Sequence, residues 1–221
     1  MRTTTSRPIP LALTALIAFF SALTALAVSN GHDAHAHELA PTAAITPKEL
    51  ALRNGMRALW EDHVTWTRLA IVTFADGSAG FDATAARLLK NQRDIGDAIA
   101  PFYGTAAGNR LAALLHDHIT IAVEVLKAAK AGDTAANARW YANANDIGDL
   151  LAAANPRSWP KALLCADMKT HLDQTLTVAA HELGGQYAAS VTDYEPVHAH
   201  ILMMADLLSR GIIAQFPSHF R

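Results

Sequence analysis

The sequence predicts an all-α protein, an up-down antiparallel bundle of about six helices. Apolar residues recur at alternating four- and three-residue spacing along several segments, the stripe of a bundle helix, and no stretch sustains the period-two alternation of a strand. Short clusters of turn residues separate those segments, among them Asp76-Gly77-Ser78-Ala79-Gly80, Gly132-Asp133 and Gly184-Gly185. A motif also recurs: Asn91-Gln92-Arg93-Asp94-Ile95-Gly96-Asp97 and Asn143-Ala144-Asn145-Asp146-Ile147-Gly148-Asp149 share Asn-x-x-Asp-Ile-Gly-Asp, as expected of a bundle built from three repeated helical hairpins.

The chain has 221 residues and fits one domain after its first segment is set aside. Arg2 and Arg7 precede an uncharged run from Leu11 to Val28, the pattern of a secretory signal peptide at 1–29. Small residues permit cleavage after Ser29 or after Ala36. Export to the periplasm or outside the cell is therefore expected, with an uncleaved N-terminal membrane anchor as the alternative. Residues 30–45 form a His-rich leader, and 46–221 form the bundle domain. The formal charge is −2, or about −4 once Arg2 and Arg7 are removed, so no basic footprint suggests nucleic acid. Once the signal peptide is cleaved, no membrane contact is expected. One cysteine, Cys165, excludes an intrachain disulfide framework and is expected to be buried and inert.

Within the domain, Thr46-Pro47-Lys48-Glu49 is a helix start: a Thr cap, Pro at the first position and Glu at the third. The seam that follows is Leu52, Met56, Leu59, His63, Trp66, Ala70 and Thr73, ending near Ala75. Asp82 is expected to cap the second helix, which carries Leu88, Ile95 and Phe102 and stops between Pro101 and Gly104. The third starts near Thr105 with Leu111, Leu114, His118, Ile121 and Val125 on its seam. Gly132-Asp133 closes it and caps the fourth, which runs through Trp140 and Ile147 to Asn155-Pro156. Ser158 and Pro160 open the fifth, with Leu164, Met168, His171, Thr175 and Val178. The sixth carries Tyr194, Val197, Ile201, Met204 and Leu208 and ends before Gly211 or Pro217; Pro196 is expected to start it late or kink it.

Eleven histidines are the unusual feature of the composition. His32, His35 and His37 sit in the leader, and cleavage after Ser29 would make His32 the third residue of a free N-terminus, an arrangement suited to Cu(II) or Ni(II). His63, His118 and His171 occupy equivalent seam positions in the three hairpins, and Asp94, Asp146 and His200 align likewise. A buried imidazole needs a hydrogen-bond partner, and Asp94 and Asp146 are the expected partners. Two readings follow. The seam histidines are satisfied core groups, or they converge with His198 or His200 and a carboxylate on a transition metal such as Zn, Cu or Fe. A non-covalent haem or other cofactor held by two facing histidines is the third reading; with no CxxCH motif, covalent haem is excluded. No HExxH, Walker loop or nucleophile elbow is present, so a non-catalytic role is expected.

Leu59-Trp60-Glu61-x-His63-Val64-x-Trp66-Thr67-Arg68-Leu69 resembles an uncharacterised family of small all-helical bacterial proteins. Trp140-Tyr141-x-Asn143-Ala144, Thr170-His171-Leu172-x-x-Thr175, Met204-Ala205-Asp206 and the closing Gly211-Ile212-x-x-Gln215-Phe216-Pro217 match it as well, over roughly 50–221. The resemblance implies the helical fold and points to Trp60, Glu61, Arg68 and Asp206 beside the histidines, with Glu61 and Arg68 as an expected ion pair. Automatic labels such as glycosyltransferase or acetylglutamate kinase occur in that family, yet this chain has neither a nucleotide-binding loop nor α/β alternation. The sequence reading is an exported helical bundle that binds a transition metal through seam histidines; the alternatives are a structural or interaction bundle and a cofactor carrier.

Overall fold

A computed structural model describes residues 44–221; the signal segment at 1–29, both expected cleavage points and the histidines of the leader, His32 among them, lie outside the described residues. Six helices follow in order: α1 Pro47–Ala75, α2 Phe81–Tyr103, α3 Thr105–Lys130, α4 Asn137–Ala154, α5 Lys161–Leu183 and α6 Tyr187–Gln215, with a short 3-10 turn at Pro217–Phe220. No strand occurs among the described residues. Thr46 caps α1 as its sequence predicts: its hydroxyl accepts from Glu49 N while the Glu49 carboxylate accepts from Thr46 N.

Each helix packs on the next, and α6 returns to α1, so the helices close a ring. Short connections make neighbours antiparallel, which leaves α1, α3 and α5 running the same way. α1 and α3 both reach α5 across the interior. The odd helices, which carry the seam histidines, therefore surround the middle of the bundle. The ring is pinned where it closes: Thr46 Oγ1 donates to the Phe220 carbonyl at 2.8 Å, and Lys48 Nζ to the Arg221 carbonyl at 2.7 Å.

Glycines set two close approaches. Gly104 alone joins α2 to α3, at φ 86°, a conformation that a Cβ would strain. The joint folds α3 back onto α2 so tightly that a Cβ on Gly96 would meet the Gly108 carbonyl at 2.5 Å. Gly211 sits inside α6 under the indole of Trp159, which is buried at 1% exposure and donates from Nε1 to the Leu207 carbonyl. A Cβ there would stand 2.0 Å from Trp159 Nε1. The helix therefore continues through Gly211, where the sequence reading allowed it to end. Gly211→Ala is expected to destabilise the fold by about 3 kcal/mol or more, the upper end of overpacking costs, read as a lower denaturant midpoint with the slope unchanged. A shift under about 0.5 kcal/mol would show that the indole moves freely.

Other boundaries also differ from expectation. α6 begins at Tyr187, well before Pro196, as one continuous helix. Pro196 and Thr192 both face solvent, which leaves the Thr192 carbonyl that loses its helical partner on the wet side of the helix. Gly80, and not Asp82, is the N-cap of α2. Asp133 accepts from Ala135 N in a turn before α4, so it caps the turn and not the helix. Cys165 is half-buried where α5 meets Gly148 of α4, and not fully enclosed. Among the described residues, α6 is the helix long and apolar enough to suit a membrane span by composition; here its length lies along α1 and α5.

Candidate functional site: a buried three-histidine layer

His63 on α1, His118 on α3 and His171 on α5 are each at most 3% exposed. The ring centres of His63 and His171 are 5.5 Å apart, and those of His118 and His171 are 6.3 Å apart. One position per odd helix at bundle spacing thus brings three imidazoles into one layer, with His171 beside both others. Trp60 meets His63 edge-on at 5.8 Å, and Trp140 lies 5.3 Å from His118.

The protonation states follow from two carboxamides. Asn143 Nδ2 donates to the Leu114 carbonyl, which turns its Oδ1 toward His118, so His118 Nδ1 carries a proton and donates at 2.9 Å. Nε2 of His118 is therefore a bare acceptor. Gln92 Nε2 donates to the Leu88 carbonyl at 2.8 Å, which turns the same nitrogen toward His63 Nδ1 at 3.3 Å. His63 Nδ1 accepts, and its Nε2 carries the proton. The two rings hold opposite tautomers. His171 Nδ1 is buried and has no partner among the described residues.

Burial holds all three rings neutral. Desolvation is the main cause for His63, pushed down to about 3, with repulsion from His118 adding to it. His118 is pushed down to about 4 by desolvation, against a rise from its Asn143 bond. His171 lies well below its ordinary value, through desolvation first and then repulsion from His63, His118 and His200.

Beyond the rings lies a cavity of about 40 Å³ between the C-terminal halves of α1, α3 and α5. Its wall is Ala70, Ile71, Leu88, Ile119, Leu126 and Ala179, together with Trp140 and other apolar groups, and Thr67 and Thr175 stand beside the histidines. Both threonine hydroxyls donate to the carbonyl of the histidine one turn earlier, Thr67 to His63 and Thr175 to His171. A haem does not fit, because cofactor pockets take roughly 300 Å³ or more.

The remaining expected site residues lie elsewhere. Asp94 pairs with Lys90 on the surface of α2, and Asp146 faces solvent. Their assigned place as imidazole partners is taken by Gln92 and Asn143, because two or three residues of helix turn Asp94 and Asp146 away from the seam. His200 is the inward member of its pair and donates from Nε2 to the Asp167 carbonyl at 2.9 Å; His198 points outward to Glu61 at 3.3 Å. Glu61 thus does not pair with Arg68, which lies 3.0 Å from the buried Glu182 carboxylate and also bonds Ser190. Asp206 accepts from Arg57 at 2.7 Å, tying α6 to α1.

One contact recurs around the ring. Asn91 Nδ2 donates to the Leu59 carbonyl at 2.9 Å, Asn143 Nδ2 to Leu114 at 3.0 Å and His200 Nε2 to Asp167 at 2.9 Å. Leu59, Leu114 and Asp167 each stand four residues before a seam histidine.

Three neutral imidazoles around a small void are chemically suited to a divalent or monovalent transition-metal ion. Three imidazoles on one tetrahedral ion, at Zn–N of about 2.0–2.1 Å, have ring centres about 5.3 Å apart. The observed spacings, 5.5 and 6.3 Å, exceed that by a few tenths of an ångström and by about one. Among the described residues no ready-made group of three or more His, Cys, Asp or Glu side chains stands at metal-binding distance. Binding therefore calls for the rings to move from these positions. Searches of family models, curated proteins and solved structures found no match to this chain.

Proposed function

We propose that the protein is an exported helical bundle that binds one transition-metal ion through His63, His118 and His171, without catalysing a reaction. What carries this reading is the layer itself: three neutral imidazoles buried together, one with an unpartnered nitrogen. An apolar core of the same shape would avoid the cost of burying those groups. Metal ligation needs neutral imidazole, and burial supplies it. The Asn143 bond to His118 Nδ1 is the outer-shell contact that fixes a ligating histidine's tautomer and leaves Nε2 for the metal. For His63 to ligate through Nε2 its proton moves to Nδ1, and the Gln92 carboxamide turns so that its otherwise unpartnered Oε1 accepts it; the ring is neutral before and after, so no net proton is released. Zn and Cu suit an imidazole set, and Fe is the third candidate. The recurrent carbonyl contact supports descent of the three hairpins from one unit.

Metal content of purified wild type, of a variant lacking residues 30–38, and of a His63→Ala, His118→Ala, His171→Ala triple variant tests the reading. Wild type and the leader deletion are expected to retain one ion per chain, and the triple variant none while its helical circular dichroism persists. Full metal content in the triple variant would overturn the bundle site. Loss in the leader deletion alone would transfer binding to His32 and its neighbours.

A further inference from the structure

We propose that the cavity above the histidine layer is a binding site for a small neutral molecule of two or three heavy atoms, in the class of dioxygen and nitric oxide. For its second contact this rests on the three-histidine metal reading: three protein ligands leave a tetrahedral ion one open position, and the cavity is where that position would face.

Size comes first. One water needs about 10–15 Å³, so a cavity of about 40 Å³ has room for a molecule of two or three heavy atoms. The wall decides polarity. No Lys or Arg lines the cavity, and Ile71, Leu88, Ile119 and Leu126 form most of it. An anion entering here would shed its hydration against hydrocarbon with no cationic side chain to replace it. A neutral apolar molecule has no such cost, and void lined by such groups stays dry and takes up apolar guests. At the polar end, in the metal-free protein, His63 Nε2–H is on the side of the ring away from Gln92 and can donate one hydrogen bond to a bound molecule; in the metal-loaded protein the ion takes that place. Entry is short: Ala122, Val123 and Leu176 line the cavity and are only half-buried.

Two measurements decide this, and they fail separately. In the first, metal-free protein is placed under several bars of dioxygen and its methyl resonances are followed. Paramagnetic broadening is expected at Ala70, Leu176 and Ala179, well above that at Leu172 and Ile212, which are fully buried away from the cavity. Ala122→Leu, which fills the cavity from its half-buried rim, is expected to remove the excess and to keep the metal. Uniform broadening in wild type would overturn the cavity site whatever the metal does. In the second, Fe(II)-loaded protein is exposed to nitric oxide and, separately, to azide. A nitrosyl electron paramagnetic resonance signal with no azide-induced absorption change is expected. Azide binding that excludes nitric oxide would overturn the assigned ligand class. Failure to retain iron at all would sink the metal reading and leave the dioxygen result to decide the cavity by itself.

Discussion

Acidification from pH 7 to about 4.5 is expected to unfold the metal-free bundle cooperatively. An imidazole in an unfolded chain titrates near 6.5. In the folded layer His63 and His118 titrate at about 3 and about 4, and His171 is shifted in the same direction. Between those values the unfolded chain holds more protons than the native state, so stability falls as pH falls. Above about 6.5 all three rings are neutral in both states and contribute no slope. Each group removes about 1.4 kcal/mol per pH unit inside the window. His63 and His118 together remove roughly 5 kcal/mol over the two units below 6.5, and His171 adds to this in the same direction; that is comparable with the 5–15 kcal/mol that holds a typical domain together. Thermal midpoints and far-ultraviolet circular dichroism measured every half unit from pH 7.5 to 4 read this directly. His63→Gln and His118→Gln are expected to flatten the profile, because surface carboxylates remain but the buried rings do not. A flat wild-type profile down to pH 4.5 would mean that the layer is protonated at little cost. Bound metal makes the acid transition steeper still, since protons and ion then compete for the same nitrogens.

The second large effect runs the opposite way. His171→Leu is expected to raise the unfolding free energy of the metal-free protein by about 1–3 kcal/mol and at the same time to abolish metal retention. His171 Nδ1 is buried without a partner, and an unsatisfied buried polar atom costs about that much. Leucine has a similar volume and no polar atom. The substitution should also make the acid slope shallower. Replacing a residue kept for packing alone would not stabilise the protein and abolish metal retention together. Stability lowered by more than about 1 kcal/mol would show that His171 makes a structural bond through water, and the argument from its orphaned nitrogen would fall.

Periodicity made the bundle legible, and with it the layer. His63, His118 and His171 each fall on a four-and-three apolar stripe, and a stripe has to face the interior whatever its neighbours do. The capping box at Thr46 and the break at Gly104 were equally local. The partners of the rings were not legible in the same way, because a helix turns 100° per residue and a choice two positions off points elsewhere. The motif Asn-x-x-Asp-Ile-Gly-Asp draws attention to its carboxylates. Its asparagines were the better guide: Asn91 and Asn143 stand four residues before Ile95 and Ile147, both almost wholly buried, and so share their face. Gln92 follows Asn91 directly and depends on the exact rotation of α2 against α1. Pairings between distant elements, such as Arg68 with Glu182, depend on how the ring closes, which no single helix encodes. Pro196 misleads in sequence because its cost depends on whether water reaches the carbonyl one turn back.

The closure of the ring has one more consequence. Thr46 and Phe220 are bonded to each other, so both ends of the described domain emerge at one point on its surface. The arrangement is that of a closed band with a single clasp, and the clasp need not be where it is. A short linker across it and a new opening in the turn between α3 and α4 would alter the chain order of the helices while preserving every packed neighbour, as circular permutation allows when termini lie together. Position along the chain then matters little to which histidines meet; the alternate places of their helices around the band decide it.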